Sequence, residues 1–302
     1  MTAEYPDTMQ EFIDRFSTEK ECRQYIEEVR WGTGFVCPRC GHTEGWRVRR
    51  GSVKCKKCRR DISAIAGTMF GETRLPTRIW FQAIWCIVSQ KSGVSALGLA
   101  HSLGLSRPMT SWYLLKRIRS AMVRIGRENL SGTVEVDEVF LGGVKPGIRG
   151  RGAAGKVLLL VAVEDKGARG IGRIRIEVIP DASAIELRKG VMKMVELGST
   201  VRTDGWAGYT TEALKGYKHV VMEKHSHEPG EDPTPLVHRI ASLLKRWLLG
   251  THQGGVRPAH VKSYLDEFVF RFNRRTSKSR GKLFYRLVQG MVDEKRAGGV
   301  KR

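Results

Sequence analysis

The chain has 302 residues, 41% of them hydrophobic, and a formal net charge of +22. That length accommodates two or three small domains with a proper core, and so large a basic excess points to a polyanionic partner, because each neutralised phosphate releases counterions. No apolar run reaches the length of a membrane span, and Met1 to Asp7 lacks the basic and apolar regions of a signal peptide, so a cytoplasmic, nucleoid-associated protein with no membrane partner is expected.

The charge is unevenly spread. Residues 1–36, read as an N-terminal helical segment, carry eight acids against four bases. Residues 37–130 hold eighteen bases against four acids, and residues 239–302 sixteen against four. Between them residues 131–238 balance at fifteen each. A neutral centre between two basic flanks favours nucleic-acid binding over a merely soluble basic surface.

Residues 37–66 read as a zinc ribbon. Cys37-Pro-Arg-Cys40 and Cys55-Lys-Lys-Cys58 stand 14 residues apart, the spacing of two knuckles that close a tetrahedral Zn²⁺ site with four thiolates. With no ligand position left open, the zinc is structural. His42 is an alternative ligand, less favoured while four cysteines are available. Cys22 and Cys86 read as ordinary buried thiols. Arg49, Arg50, Lys56 and Lys57 decorate the ribbon as DNA-backbone contacts.

Residues 75–128 read as a helix-turn-helix. Ile79, Trp80, Ala83, Ile84, Ile87 and Val88 have helical period. Ser95 is placed to cap the next helix, Gly104 to turn, and Ser106 to cap a second helix with Pro108 in its first turn. That helix is expected to present Arg107, Thr110, Ser111 and Lys116, with Arg107 and Lys116 touching DNA. Trp112, Leu115 and Ile118 are expected to pack inward.

Residues 131–290 read as the catalytic domain. Strands are expected at 133–141, 157–164, 172–179, 199–203 and 218–222, with helices at 182–197, 206–214 and 236–249. Three early strands followed by alternating helices and strands give an α/β fold, a mixed sheet with helices on its faces. Glu135, Asp137 and Val139 share one face of the first strand. Asp137 is a carboxylate inside a strand, and Asp204 ends another just before Gly205-Trp206. Two such acids can hold Mg²⁺ or Mn²⁺ for phosphodiester displacement.

A third ligand is expected near the start of the helix at 236. His238 and Lys245 lie seven apart, two helical turns, so they share a face. His238 can ligate the metal or act as a base, and Lys245 can hold a phosphate. Glu231 and Asp232 are competing third ligands. His225 and His227 read as polar loop residues. Lys145, Arg149 and Arg151 sit in a glycine-rich loop that is expected to touch DNA.

Val261, Tyr264, Leu265, Phe268, Val269 and Phe272 form one apolar helical stripe. Arg271, Arg274 and Arg275 end that helix and are read as DNA-backbone contacts. Residues 291–302 are a basic tail.

These pieces come in a specific order. The Cys37-to-Cys58 ribbon leads, and Ser95-Ala-Leu-Gly-Leu-Ala-His-Ser-Leu-Gly-Leu-Ser106 follows. Val134-Glu-Val-Asp-Glu138, Thr203-Asp-Gly-Trp-Ala-Gly-Tyr209, Lys245-Arg-Trp-Leu-Leu-Gly-Thr-His252 and Tyr264 to Arg275 come next. The chain resembles bacterial insertion-sequence transposases of the ISXO-like group, which join an N-terminal zinc ribbon to a DDE-type, RNase H-like catalytic domain.

The resemblance implies metal-dependent hydrolysis at transposon ends and attack of the freed 3′-hydroxyl on target DNA. The partners would be double-stranded DNA, as terminal inverted repeats and target, in a homodimer or larger assembly. Asp137 would be the first acid and Asp204 the second. The third, typically a glutamate seven residues before the Lys-Arg pair, is here His238. Two other readings remain: a zinc-ribbon regulator with a degenerate catalytic fold, and a different RNase H-like nuclease.

Overall fold

The computed structural model describes residues 5–48, 52–71, 73–123, 126–142, 156–222, 232–254 and 256–292. The chain divides into two compact units, one formed by Met1–Arg124 with Ser277–Arg302 and the other by Ile125–Thr276. Among the described residues, no helix is long and apolar enough to cross a membrane.

In the first unit, α1 (Met9–Arg15) and α2 (Glu19–Trp31) precede a three-stranded antiparallel meander of β1 (Gly45–Val48), β2 (Ser52–Cys55) and β3 (Asp61–Ser63). α2 starts in a capping box, where the Thr18 and Glu21 side chains each accept the other's backbone amide. α3 (Thr77–Ser89) opens after Pro76, which offers no side-chain cap. Glu19 of α2 supplies it, accepting from the Thr77 and Arg78 amides at 3.0 Å each.

α4 (Ala96–Ser102) and α5 (Pro108–Ala121) form the expected helical pair. Ser95 caps α4 through the Gly98 amide at 3.0 Å, and Gly104 turns the chain at φ +64°. Ser106 does not cap α5. Arg107 occupies that position without a side-chain bond, and Pro108 follows as the first helical residue. Ser111 is buried rather than presented, and Trp112 is half-buried. Leu115 and Ile118 pack inward as expected.

The second unit holds β4 (Thr133–Leu141), β5 (Val157–Asp165), β6 (Ile171–Ile179), α6 (Ala184–Met194), β7 (Thr200–Thr203), β8 (Lys218–Val221), α7 (Pro235–His252) and α8 (Val261–Asn273). The sheet order is β6-β5-β4-β7-β8. The first three strands are antiparallel, and β7 and β8 run parallel to β4. This is the expected RNase H-like mixed sheet.

Alternation along β4 sends its residues to two cores. Val134 and Val136 join Leu187, Val191 and Met194 of α6. Val139 joins α7 through Val237, Ile240 and Leu244, and α8 through Leu265 and Phe268. Buried Glu164 of β5 is held by Arg173 of β6, whose Nε and Nη2 approach the same oxygen at 3.1 and 2.8 Å. Burial opposes ionisation of Glu164, yet Arg173 and the Ser131 amide together keep its pKa below the usual value.

Residues 206–214 form turns rather than the expected helix. Gly205 and Gly216 take positive φ, and a Cβ on Gly208 would fall 2.6 Å from the Ala182 carbonyl and 2.7 Å from the Trp206 ring nitrogen. The segment follows these close approaches, and its one i→i−4 bond, from the Leu214 amide to the Thr210 carbonyl at 3.1 Å, does not extend into a helix.

The last helix, α9 (Arg280–Val292), belongs to the first unit, where it packs on α2, α3 and α5. Its fully buried Phe284 meets Phe12 and Phe16 at 5.4 Å and Phe81 at 5.1 Å. The second compact unit therefore ends at Thr276, short of residue 290, where the catalytic domain was expected to end. The apolar stripe of α9 is clear in the sequence, but its period does not say which core it joins.

Candidate active site

The parallel register of β4 and β7 creates the site. Thr133, Val134 and Glu135 pair with Thr200, Val201 and Arg202. Carried two residues further, that register sets Asp137, in the middle of β4, level with Asp204, the residue after β7, on neighbouring strands about 4.8 Å apart. Asp204 leaves its strand in a tight turn. Its Oδ1 accepts the Trp206 amide at 3.0 Å, and Gly205 supplies φ +77°. Asp137 is buried, and its pKa rises, first because of that burial and then because of the Asp204 charge.

α7 is docked onto β4 by two acids of that strand. Thr234 precedes α7, and its hydroxyl donates to Asp137 Oδ2 at 2.5 Å. Glu135 accepts the Val237 amide at 2.7 Å, capping a helix that has no side-chain cap of its own. Burial pushes the Glu135 pKa up to about 7, against the lowering effect of the Val237 and Leu236 amides.

This docking brings His238 Nε2 to 3.5 Å from Asp137 Oδ2. The other ring nitrogen, Nδ1, lies 2.6 Å from Asp232 Oδ2. Lys245 is exposed two turns further along α7. Tyr209 is buried at the same place. Burial, and then the Glu138, Asp137 and Asp204 carboxylates, push its phenol well above the usual range.

The four cysteines come together as expected. The Cys37–Cys58 and Cys40–Cys55 sulfurs stand 3.7 and 3.6 Å apart. A tetrahedral ion with Zn–S bonds of about 2.3 Å needs sulfur edges of about 3.8 Å. Among the described residues, these are the one group of three or more ligand-type side chains whose donor atoms all lie within 4.8 Å. Each knuckle ends on a left-handed residue, Gly41 at φ +71° and Arg59 at φ +57°. The acidic set is more open than the cysteine set.

The basic residues divide into two groups. Lys57, Arg107 and Lys116 are exposed, and so is Lys56, which pairs with Glu44 at 3.0 Å. Arg49, Arg50, Lys145, Arg149, Arg151, His225, His227 and Glu231 lie outside the described residues. The arginines that end α8 have internal work instead. Arg271 bonds fully buried Glu267 at 2.8 Å. Arg274 lies 4.2 Å from the Phe270 ring centroid. Arg275 lies over Phe272 at 4.1 Å and bonds the Ile171 and Gly172 carbonyls of β6. These three arginines, expected to contact DNA, thus also take part in the packing of α8.

The structural roles of several residues are not readable from the sequence. Asn273 pairs with the backbone of β6, accepting the Ile174 amide at 2.8 Å and donating to the Ile174 carbonyl at 3.0 Å. Thr234 and Glu135 join α7 to β4. The Asp-Gly-Trp run gains its meaning here too, because the Trp206 ring N–H donates to the Ala182 carbonyl at 3.2 Å and holds the turn after Asp204. In the sequence Thr234 looks like the local cap of α7, but its hydroxyl turns to Asp137 and Glu135 takes the Val237 amide instead.

Residues 129–273 match the ISXO2-like transposase domain, and residues 17–61 match a transposase zinc-ribbon domain. The chain is also 26% identical over 288 residues to an uncharacterized protein in transposable element ISH50 of Halobacterium salinarum, covering 86% of this chain and 92% of that protein. The two domains follow one another in the order that the ribbon and the mixed sheet take in the fold. The chain belongs to the insertion-sequence transposases that carry a zinc ribbon ahead of an ISXO2-like transposase domain.

Proposed function

We propose that Asp137, Asp204 and His238 are the metal-holding set with which this transposase cuts phosphodiester bonds at the ends of its element and joins the freed 3′-hydroxyl to target DNA. One observation carries the reading: the parallel pairing of β4 and β7 sets Asp137, inside β4, level with Asp204, just past the end of β7, and His238 Nε2 lies 3.5 Å from Asp137. Two carboxylates and an imidazole suit a divalent ion, with a lean toward Mn²⁺ over Mg²⁺ because of the nitrogen donor. Bound there, such an ion would supply Lewis-acid polarisation of the phosphate and a more acidic water.

The protein's own residues do the rest. Glu135 and Thr234 fix α7 against β4, so that His238 keeps its distance from Asp137. Asp204, which among the described residues is held through one oxygen by the Trp206 amide, keeps its second oxygen for a ligand. Lys245, exposed on the same row of α7, is placed to contact a DNA phosphate. Lys56, Lys57, Arg107 and Lys116 contact the DNA ends through the ribbon and α5, and two chains hold two ends together. The zinc of the ribbon is structural.

The test uses duplexes carrying the terminal inverted repeats, with Mg²⁺ or Mn²⁺. Wild type should nick the ends and join them to target, whereas Asp137→Asn and Asp204→Asn should bind the ends and cut neither strand. Cutting by either variant at the wild-type rate removes it from the site. Wild-type cutting without joining would favour a nuclease, and binding without cutting a regulator.

A further inference from the structure

We propose that Asp232 is a positioning residue that holds the His238 imidazole in the tautomer whose Nε2 is free for a metal. The inference rests on the reading of His238 as the third ligand. A neutral imidazole carries one N–H, and the partner of one nitrogen decides where it sits. Asp232 Oδ2 lies 2.6 Å from Nδ1, well within hydrogen-bonding distance. A carboxylate only accepts, so the proton belongs on Nδ1 and the lone pair on Nε2, the nitrogen that faces Asp137 at 3.5 Å.

The carboxylate itself is fixed. Its Oδ1 accepts the Thr234 amide at 3.0 Å, and the Thr234 hydroxyl bonds Asp137 at 2.5 Å. Asp137, Thr234, Asp232 and His238 thus form a closed circuit of contacts. A carboxylate behind a ligating imidazole orients it and raises its basicity. Asp232 also returns to the site the negative charge that a glutamate at position 238 would carry. The Asp232–His238 pair does jointly what one glutamate does elsewhere.

Asp232→Asn separates this role from others. An asparagine that keeps its oxygen on the Thr234 amide turns its NH₂ toward Nδ1. That forces Nδ1 to accept and moves the imidazole proton to Nε2, blocking it.

Mn²⁺ binding is measured by calorimetry on the full chain with its zinc in place. Wild type, Asp232→Asn, His238→Glu and the double variant are compared, with end cleavage followed in parallel. Asp232→Asn should weaken Mn²⁺ binding and slow cleavage by about 10- to 100-fold when residue 238 is histidine. It should change either by less than about twofold when residue 238 is glutamate, because a pair that acts as a unit loses its coupling once one member is replaced. Equal losses in both backgrounds, or none beside histidine, would overturn the proposal.

His238→Ala is the control for the underlying reading. If it binds Mn²⁺ as tightly as wild type, His238 is no ligand, whatever Asp232→Asn does. Should His238→Glu not fold, ¹⁵N shifts of the His238 ring decide. Protonated Nδ1 in wild type and protonated Nε2 in Asp232→Asn support the role, and an unchanged tautomer contradicts it.

Discussion

The Thr234 hydroxyl donates to Asp137 Oδ2 at 2.5 Å across 97 positions of sequence. Thr234→Val keeps the shape and removes the donor from a buried carboxylate. A bond to a charged group contributes about 1.5–3 kcal/mol, so end cleavage near neutral pH should fall by about 10-fold or more. Losing this donor raises the Asp137 pKa further, so the defect should be larger on the acid side than at neutral pH. A pH-rate profile with the same deficit at every pH would contradict this.

Arg271 and Asn273 should behave as parts of the fold. Arg271→Ala removes a guanidinium from fully buried Glu267, at a cost of about 3–5 kcal/mol. Asn273→Ala leaves the Ile174 amide and carbonyl unpaired, at about 1–3 kcal/mol. Both losses should appear in denaturant unfolding. Lys57→Ala and Arg107→Ala should instead leave unfolding unchanged and weaken DNA retention, with a shallower salt dependence.

Glu164 sets an acid-side dependence. Its folded pKa lies below the ordinary 4.5, so its contribution to stability is present above 4.5 and is lost as pH falls through the lower folded value. Glu164→Gln should therefore be most destabilising near neutral pH, and the gap to wild type should close below pH 4.5. Urea midpoints between pH 3 and 7 measure it, and a constant gap would be the contrary result.

The ribbon should depend on its ion. Its core is small, with Cys37, Cys55 and Ile62 buried beside Trp31 and Phe35. A site of this size derives its folding energy from metal binding. Atomic absorption should find one zinc per chain, and none after Cys40→Ser. That variant should also lose end binding, and retained zinc in it would contradict the four-cysteine site.

What was legible in the sequence is what local periodicity and spacing encode. The CxxC pairs gave the zinc ribbon, and period-2 alternation set Glu135, Asp137 and Val139 on the face that meets α7 and α8. What was not legible depends on segments meeting from far away. Glu19 caps α3 and Glu135 caps α7, although neither cap is local to its helix. Asn273 pairs with Ile174, 99 positions away. Arg271, Arg274 and Arg275 look like a basic patch until α8 docks and turns them onto Glu267, two aromatic rings and the β6 backbone. The apolar stripe of α9 likewise fits either core by composition.

The central claim is that His238 completes a metal site with Asp137 and Asp204. Pulsed electron paramagnetic resonance of Mn²⁺ bound to protein with ¹⁵N-labelled histidine tests it most directly. Coupling of one histidine nitrogen to the ion, present in wild type and absent in His238→Ala, is the predicted result. Mn²⁺ whose binding needs Asp137 and Asp204 but shows no histidine coupling would contradict it.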